Sequence, residues 1–407
     1  MVKAVSPGSR GPTLRALGLT LPLVAFIGVT FLAPLAAMLV RSVYDPVVAD
    51  ALPETLQALA PWDGEGVPSE AAFAALASEL VAASDARTVG QVATRLNRVE
   101  SGLRSVVTRT ARRLRNAEIN PDATTPWRDA VVSVADAWED AGTWRAIRRA
   151  GERVTPRHYL NALDLDQGAH DEIVRQPEDL RIYVPLLVRT LVVSTSITVL
   201  CLLLGYPVAY LIAHAAPTRA NLLLLLVLVP FWTSLLVRTT AWIVLLQSRG
   251  VVNDLLVTAG VIEDEQRLQM IYNMTGTIVA MTHVLLPFMV LPLYAVMRTI
   301  PSLHMSAAAS LGASFGQAFR RVYWPQTLPG VGAGSLLVFI LAIGYYITPA
   351  LVGGRTGQLI SNMIAYHMQQ SLNWGLAAAL GGILLACVVG LYLLYDRLVG
   401  VERMRLG

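Results

Sequence analysis

Ser306–Gly330 reads SAAASLGASFGQAFRRVYWPQTLPG, a basic stretch of low hydrophobicity set between two runs that are each long enough to cross a bilayer. Ala307, Ala308 and Ala309 favour helix, Gly312 permits a turn that a side chain would obstruct, and Phe315–Trp324 reads as a second short helix. Pro325 is expected to stop that second helix. Two short helices meeting at a glycine make a shape suited to entering a groove on another protein. On this spacing alone, an ordinary cytoplasmic loop with an alanine-rich helix is the alternative.

The surroundings of the stretch fix its setting. The 407 residues are 54% hydrophobic and 15% charged, which excludes an ordinary soluble domain and fits a multi-span membrane protein. A hydrocarbon layer of about 30 Å needs roughly 20 apolar residues per helix. Six such runs occur, at Leu14–Val40, Tyr183–Ala213, Leu222–Leu246, Thr275–Met297, Thr327–Leu351 and Trp374–Asp396. Lys3, Arg10 and Arg15 precede the first, and Arg219 separates the second from the third. Arg298, Arg320 and Arg321 lie between the fourth and fifth, and Arg397, Arg403 and Arg405 follow the sixth. All four groups fall on one side of an even-span chain, so the positive-inside rule puts both termini and the Ser306 loop in the cytoplasm. The first run, with Pro22 and Pro34 inside it, is too long for a signal-peptide core and reads as a retained anchor, with cleavage as the minor alternative. Cys201 and Cys387 both fall inside spans, so no disulfide framework is expected.

The flanks also carry a resemblance. Ala307, Ala308, Gly312 and Pro325 fit the EAA loop of permease subunits in binding-protein-dependent ABC importers, with Ser306 standing where that loop has Glu. VPFWTSLLVRTTAW (Val229–Trp242), LLPFMVLPLY (Leu285–Tyr294) and LGYPVAYLIA (Leu204–Ala213) look like the B-type permease of spermidine/putrescine importers. The likeness runs from about Leu180 to the C-terminus and leaves out residues 41–180. It implies a loop, 298–326, that docks on a cytoplasmic ATPase through Ser306, Ala307, Ala308, Leu311, Gly312, Ala313, Phe319, Arg320 and Pro325. Ser306 can cap a helix but cannot form the ion pair open to a Glu. The implied partners are an ATP-binding cassette ATPase dimer that binds the ATP and Mg, a second permease subunit and a periplasmic solute-binding protein.

Residues 41–182 hold 17 Arg and 22 Asp plus Glu, a net of −5, which leaves +9 for the rest of the chain. The basic excess is therefore topological, and nucleic-acid binding is not indicated. The segment follows an outward-going span and belongs in the periplasm. Ser69 can cap a helix carrying Phe73, Leu76 and Leu80 on one side, while Val89, Val92, Leu96, Val99, Leu103, Val106 and Leu114 recur at three- and four-residue steps. A third run has Trp127, Val131, Val134, Trp138 and Ala141, with Thr125 and Pro126 as its expected start. Three apolar stripes predict a small helical bundle, with a coiled-coil seam to another subunit as the alternative for the second stripe. Arg109, Arg112, Arg113 and Arg115 read as a solvated face.

No span has an Asp or Glu in its interior, so a polyamine finds no buried carboxylate in this subunit. Arg189 and Arg238 are expected to snorkel to water, and His283 to make a helix-to-helix hydrogen bond. Aromatic faces attract ammonium groups without a buried charge, which makes Trp232, Tyr206, Tyr210, Trp242, Tyr294, Tyr345 and Tyr346 the pool for a substrate pathway, together with Thr233 and His283. Membrane-interface belts use the same residue types. Trp232 leads, because Pro230 loosens the helix just before it. No phosphate loop, metal-ligand spacing or activated nucleophile is present, so ATP hydrolysis belongs to another subunit and this chain carries no cofactor.

These readings converge on an all-α polytopic permease of a bacterial inner membrane, with six transmembrane helices and cytoplasmic termini. Its domains are 1–40, a periplasmic helical insertion 41–182, and a five-helix core 183–407. The expected cargo is a polyamine of spermidine or putrescine type, with an opine or amino-acid derivative as the rival in the same machinery. A secondary transporter should show intramembrane acids, and a membrane sensor a cytoplasmic output domain.

Overall fold

A computed structural model describes residues 10–116, 126–168 and 172–399. Lys3, Thr125, Arg403 and Arg405, used above, lie outside the described residues. Helices dominate, and the strands among the described residues are one antiparallel hairpin pairing Leu165–Gln167 with Ile173–Arg175. Six helical stretches are long and apolar enough to span a membrane: Gly18–Arg41, Tyr183–His214, Leu235–Thr258, Met274–Thr299, Phe315–Gly344 and Trp374–Arg397. The protein is an all-α polytopic membrane protein. Its contacts divide it into two compact units, one built mainly from residues up to Asn161 and the other mainly from Gln176–Asn373 and Leu380 onward.

In the first unit, the apolar stripes bury one another. Phe73, Leu76 and Leu80 of the Glu70–Asp85 helix meet Val92 and Leu96 of Val89–Asn97, Leu103, Val107 and Leu114 of Leu103–Arg115, and the indoles of Trp138 and Trp144. The second stripe therefore faces this bundle's own core, and the coiled-coil alternative falls. It is two helices, not one, because Gly102 takes a left-handed φ of 95° and Asn97 Oδ1 accepts the Gly102 and Arg104 N–H groups at 3.0 and 3.2 Å. The third stripe is also divided, into helix Trp127–Val132, a 3-10 turn at Asp136–Glu139 and helix Ala141–Ala150. Arg109, Arg112, Arg113 and Arg115 are exposed, as expected.

The caps differ from the sequence expectation. Ser69 holds the N-cap position, but its hydroxyl caps nothing. Pro126 sits at the N-cap of the third helix, not its first turn, and the Glu70 carboxylate reaches across to accept the Trp127 and Arg128 N–H groups. Glu79 plays the same part while buried, accepting Glu54 N–H at 2.6 Å, Thr55 N–H at 3.0 Å and the Thr55 hydroxyl at 2.6 Å. Three donors offset the cost of burying that carboxylate.

His158 is buried in this unit, and burial, only partly opposed by Asp45, pushes its pKa down to about 4 from 6.5. The folded pKa lies below the unfolded one, so stability is complete above pH 6.5 and is lost as pH falls toward 4. The loss is on the order of 3 kcal/mol. Amide-exchange protection across residues 47–150 should weaken through that window in the wild type and change little in His158→Asn. A flat wild-type profile would contradict the assignment.

In the second unit, Met274–Thr299 is the central helix, with residues from Gly276 to Met297 buried at steps along its length. Met281, Leu285, Met289 and Leu293 pack against Ile197, Cys201 and Ala209 of Tyr183–His214 and against Val338 and Ala342 of the fifth span. Cys201 and Cys387 are both free thiols. Asp164 caps Tyr183–His214, its carboxylate accepting the N–H groups of Ile182, Tyr183 and Val184 at 3.1, 2.9 and 2.8 Å.

Two span expectations need correction. The expected third run, Leu222–Leu246, is broken: helix Pro217–Trp232 ends, Thr233 and Ser234 are extended, and the span runs instead from Leu235 to Thr258 as helices Leu235–Leu246 and Val251–Thr258. This places Asp254 inside the span, paired with Arg267 at 2.7 Å, against the expectation of no interior acid. Pro230 has no N–H to give the ladder, and the Thr233 hydroxyl takes the Pro230 carbonyl at 2.8 Å. In the fifth span, Pro325 does not stop the helix. A π turn at Phe319–Tyr323 absorbs the misfit and leaves Pro325 in the first turn of Trp324–Gly344, where its missing N–H costs little. That helix ends at Gly344 instead of Leu351, because Tyr345 is extended.

Candidate functional site

The loop between spans four and five is two helices at a glycine. Pro301 leads into Ser302–Ser310, which closes with Gly312 N–H on Ala309 O at 2.9 Å and Ala313 N–H on Ala308 O at 3.1 Å. Gly312 has φ +86°, and a Cβ there would meet nothing within 4 Å, so the backbone angle and not space calls for glycine. Ser314 and Gln317 then form a capping box that starts Phe315–Ala318. Ser306, Ala307, Leu311, Arg320 and Pro325 are exposed, Ala308, Ala313 and Phe319 half-buried. The Ser306 hydroxyl donates to its own helix at Ser302 O, 3.3 Å.

Apolar side chains stand out on this loop: Leu303 is 71% exposed, Leu311 89% and Phe315 69%. Behind it, Phe319 stacks on Tyr323 at 5.5 Å and meets Tyr206 and Tyr210 edge-on at 6.4 and 6.0 Å. Tyr206 also donates to or accepts from Thr327 Oγ1 at 3.2 Å. A cavity of about 680 Å³ opens beside these rings, lined by Tyr210, His214, Arg298, Met305, Ser306 and Tyr323. Tyr206 and Tyr210 therefore brace the loop.

The remaining pathway candidates lie elsewhere. Trp232 ends its helix and is 71% exposed, and Thr233 accepts from Arg238 Nε at 3.2 Å. His283 Nδ1 accepts the Trp242 indole N–H at 3.2 Å, the expected helix-to-helix bond. Tyr294 and Tyr345 pack on the core of the second unit, and Tyr346 lines a separate cavity of about 440 Å³ with Gln358, Asn362, Tyr366, Gln369 and Gln370. No single lining gathers the whole pool among the described residues.

Arg238 corrects the snorkelling expectation. Its guanidinium turns back onto the broken helix, bonding the Pro230 carbonyl and the Thr233 carbonyl, the latter at 3.0 Å. Those are backbone acceptors that the break frees from the helical ladder. Pro230, Thr233 and Arg238 within nine residues were a readable signal for this clamp. Arg189 is half-buried. Arg238→Met strands the Thr233 carbonyl and leaves the Pro230 carbonyl only the Thr233 hydroxyl, a loss of about 2 kcal/mol at roughly 1 per charge-assisted bond, and should lower the melting midpoint of the purified permease by several degrees. Arg238→Lys should recover only part, since one ammonium cannot fork to both. A wild-type melt for Arg238→Met would contradict the clamp.

The comparisons with known proteins bear on the second unit. The family described as binding-protein-dependent transport system inner membrane component matches residues 205–400. The spermidine/putrescine transport system permease protein PotB of Salmonella typhimurium (strain SL1344) is 37% identical over 213 residues, covering 52% of this chain and 73% of that protein. PotB of Escherichia coli (strain K12) is likewise 37% identical, covering 52% of this chain and 76% of its own length. The inner membrane ABC transporter permease protein YdcU of Escherichia coli (strain K12) is 30% identical over 53% of this chain and 71% of that protein. With six apolar helices and relatives of this kind, the protein is a multi-pass inner-membrane transport subunit. The chain belongs to the family of permease components of binding-protein-dependent ABC importers, resembling PotB.

Proposed function

We propose that the chain forms half of the translocation pathway of an ABC importer for spermidine, putrescine or a similar polyamine, and is driven through residues 298–326 by a cytoplasmic ATPase dimer. The other half is a second permease subunit, and cargo arrives from a periplasmic solute-binding protein. ATP and Mg bind the ATPase, and this chain carries no cofactor. Domain limits of 1–40, 41–182 and 183–407, with the insertion in the periplasm, complete the proposal.

The observation that carries the coupling role is the exposed apolar surface at Leu303 and Leu311 on a loop outside the apolar spans. Such side chains on a polar-side loop are the mark of a covered surface. The likeness to polyamine permeases supports the cargo; the span carboxylate Asp254 is paired with Arg267 at 2.7 Å, which leaves ammonium recognition to rings and carbonyls. Proteoliposomes holding the permease pair, the ATPase and the binding protein should take up labelled spermidine only with ATP, with putrescine competing. ATP hydrolysis without polyamine uptake would overturn the cargo.

Ser306 sets docking strength in this reading. A carboxylate facing a basic ATPase residue contributes about 1.5–3 kcal/mol against roughly 1 for a hydroxyl. Ser306→Glu should therefore tighten ATPase co-purification about fivefold and make it more salt-sensitive. An unchanged yield and salt profile would mean that residue 306 does not face the ATPase.

A further inference from the structure

The insertion holds a charged cavity that the transport reading does not use. It measures about 240 Å³ and is lined by Arg145, Arg149 and Arg157, with Glu100, Asp166 and Gly142 among its other walls. Three guanidiniums against two carboxylates leave these side chains with one net positive charge. Two of the arginines are anchored by backbone carbonyls: Arg145 Nη1 donates to Gly64 O at 2.9 Å, and Arg149 to Gln167 O at 3.3 Å and to Gly168 O. A guanidinium has five N–H donors, so the bond to Gly64 holds Arg145 in place while leaving it donors over.

Arg157 is different. Among the described residues no hydrogen bond or ion pair reaches its guanidinium, yet burial lowers its pKa, with Asp166, and more weakly Asp45 and Glu152, opposing that shift and Arg149 adding to it. Asp166 is exposed, and its Oδ1 already accepts the Gln167 N–H at 2.8 Å. Glu100 is exposed as well. A cation drawn out of water without a hydrogen-bonded counter-charge is costly, and the planar fork of arginine matches the oxygens of a phosphate group.

We propose that this cavity is a binding site for a phosphate group, held by Arg145 and Arg157. Free phosphate and a phospholipid headgroup share that chemistry, and two probes separate them. The full-length permease in neutral detergent is titrated calorimetrically with inorganic phosphate and, separately, with dihexanoyl phosphatidylglycerol below its micellar concentration. Binding of inorganic phosphate assigns a soluble ligand, and binding of the short-chain lipid alone assigns a headgroup. In either case Arg157→Gln and Arg145→Gln should each weaken binding by about tenfold or more, the value of one lost charge-assisted hydrogen bond. Asp166→Asn, which removes an opposing charge, should strengthen binding. Arg112→Gln, on the exposed face of Leu103–Arg115, should leave it unchanged. Arg157→Lys keeps the charge but not the fork and should bind between wild type and Arg157→Gln, which preserves the test if the glutamine variant unfolds. The proposal is overturned if neither probe binds, or if binding survives both Arg157→Gln and Arg145→Gln at wild-type strength.

Discussion

Trp144→Ala is expected to unfold the insertion while leaving the spans in the membrane. The indole is fully buried, lies edge-on to Phe73 with centroids 4.6 Å apart, and sits 5.6 Å from Trp138. Its N–H donates to Trp138 O at 2.9 Å, and the Trp138 indole in turn donates to Thr110 Oγ1 at 2.9 Å. Truncation removes one of the two largest side chains in that cluster and strands a buried carbonyl. The cavity term is about 3–5 kcal/mol and the unpaired carbonyl adds about 1–3. A domain of this size has roughly 5–15 kcal/mol in total, so most of its stability goes. Limited proteolysis of the purified chain should cut Trp144→Ala between residues 60 and 155 far faster than wild type. Trp232→Ala, at a site 71% exposed, should cut at the wild-type rate. Equal resistance in Trp144→Ala would contradict the assigned core.

The second large effect is expected at Gly312. Valine at φ +86° carries the left-handed penalty in its least tolerated form, a β-branched side chain, at a cost of about 1–3 kcal/mol. The strain falls on the closure that joins Ser302–Ser310 to Phe315–Ala318. Because a Cβ meets no atom within 4 Å, the variant should fold and insert, and the damage should appear in coupling. Uptake per ATP hydrolysed should drop severely in Gly312→Val and mildly in Gly312→Asn, since asparagine tolerates the left-handed region. Wild-type coupling in Gly312→Val would remove the loop from the mechanism.

How much of this was legible depended on whether the cause was local. Hydropathy located five of the six apolar helices and misplaced the third, expected at Leu222–Leu246 and found at Leu235–Thr258, while the Gly312 turn followed from its place between two short helical patterns. Pro230 announced a loosened helix, but not that Arg238 would turn back onto the freed carbonyls, because the rule that long cations snorkel outward is only an average over sites. The apolar stripes of the insertion were readable. Their breaks were not, since Val92, Leu96, Leu103 and Val107 stay buried on both sides of the Gly102 turn. Caps delivered from far along the chain, Glu70 to Trp127 and Glu79 to Thr55, leave no local signature. The π turn before Pro325 is likewise invisible to a 3.6-residue pattern, and it decides whether that proline ends a helix or opens one. For the pathway candidates, residue type was readable and position was not. Tyr206 and Tyr210 brace the loop with Phe319, while Tyr346 lines another cavity.

The most direct test of the account is a crosslink from residue 311 to the ATPase. Leu311 is 89% exposed at the bend of the loop, and the native thiols Cys201 and Cys387 can be replaced by serine to give a clean background. In membranes holding the assembled transporter, Leu311→Cys treated with a short thiol-to-amine crosslinker is predicted to join the permease to the ATPase subunit, with a yield that changes when ATP is added. A transporter that assembles and hydrolyses ATP, yet shows no permease–ATPase crosslink from residue 311 or from Ala307→Cys, would contradict the claim that this loop carries the coupling.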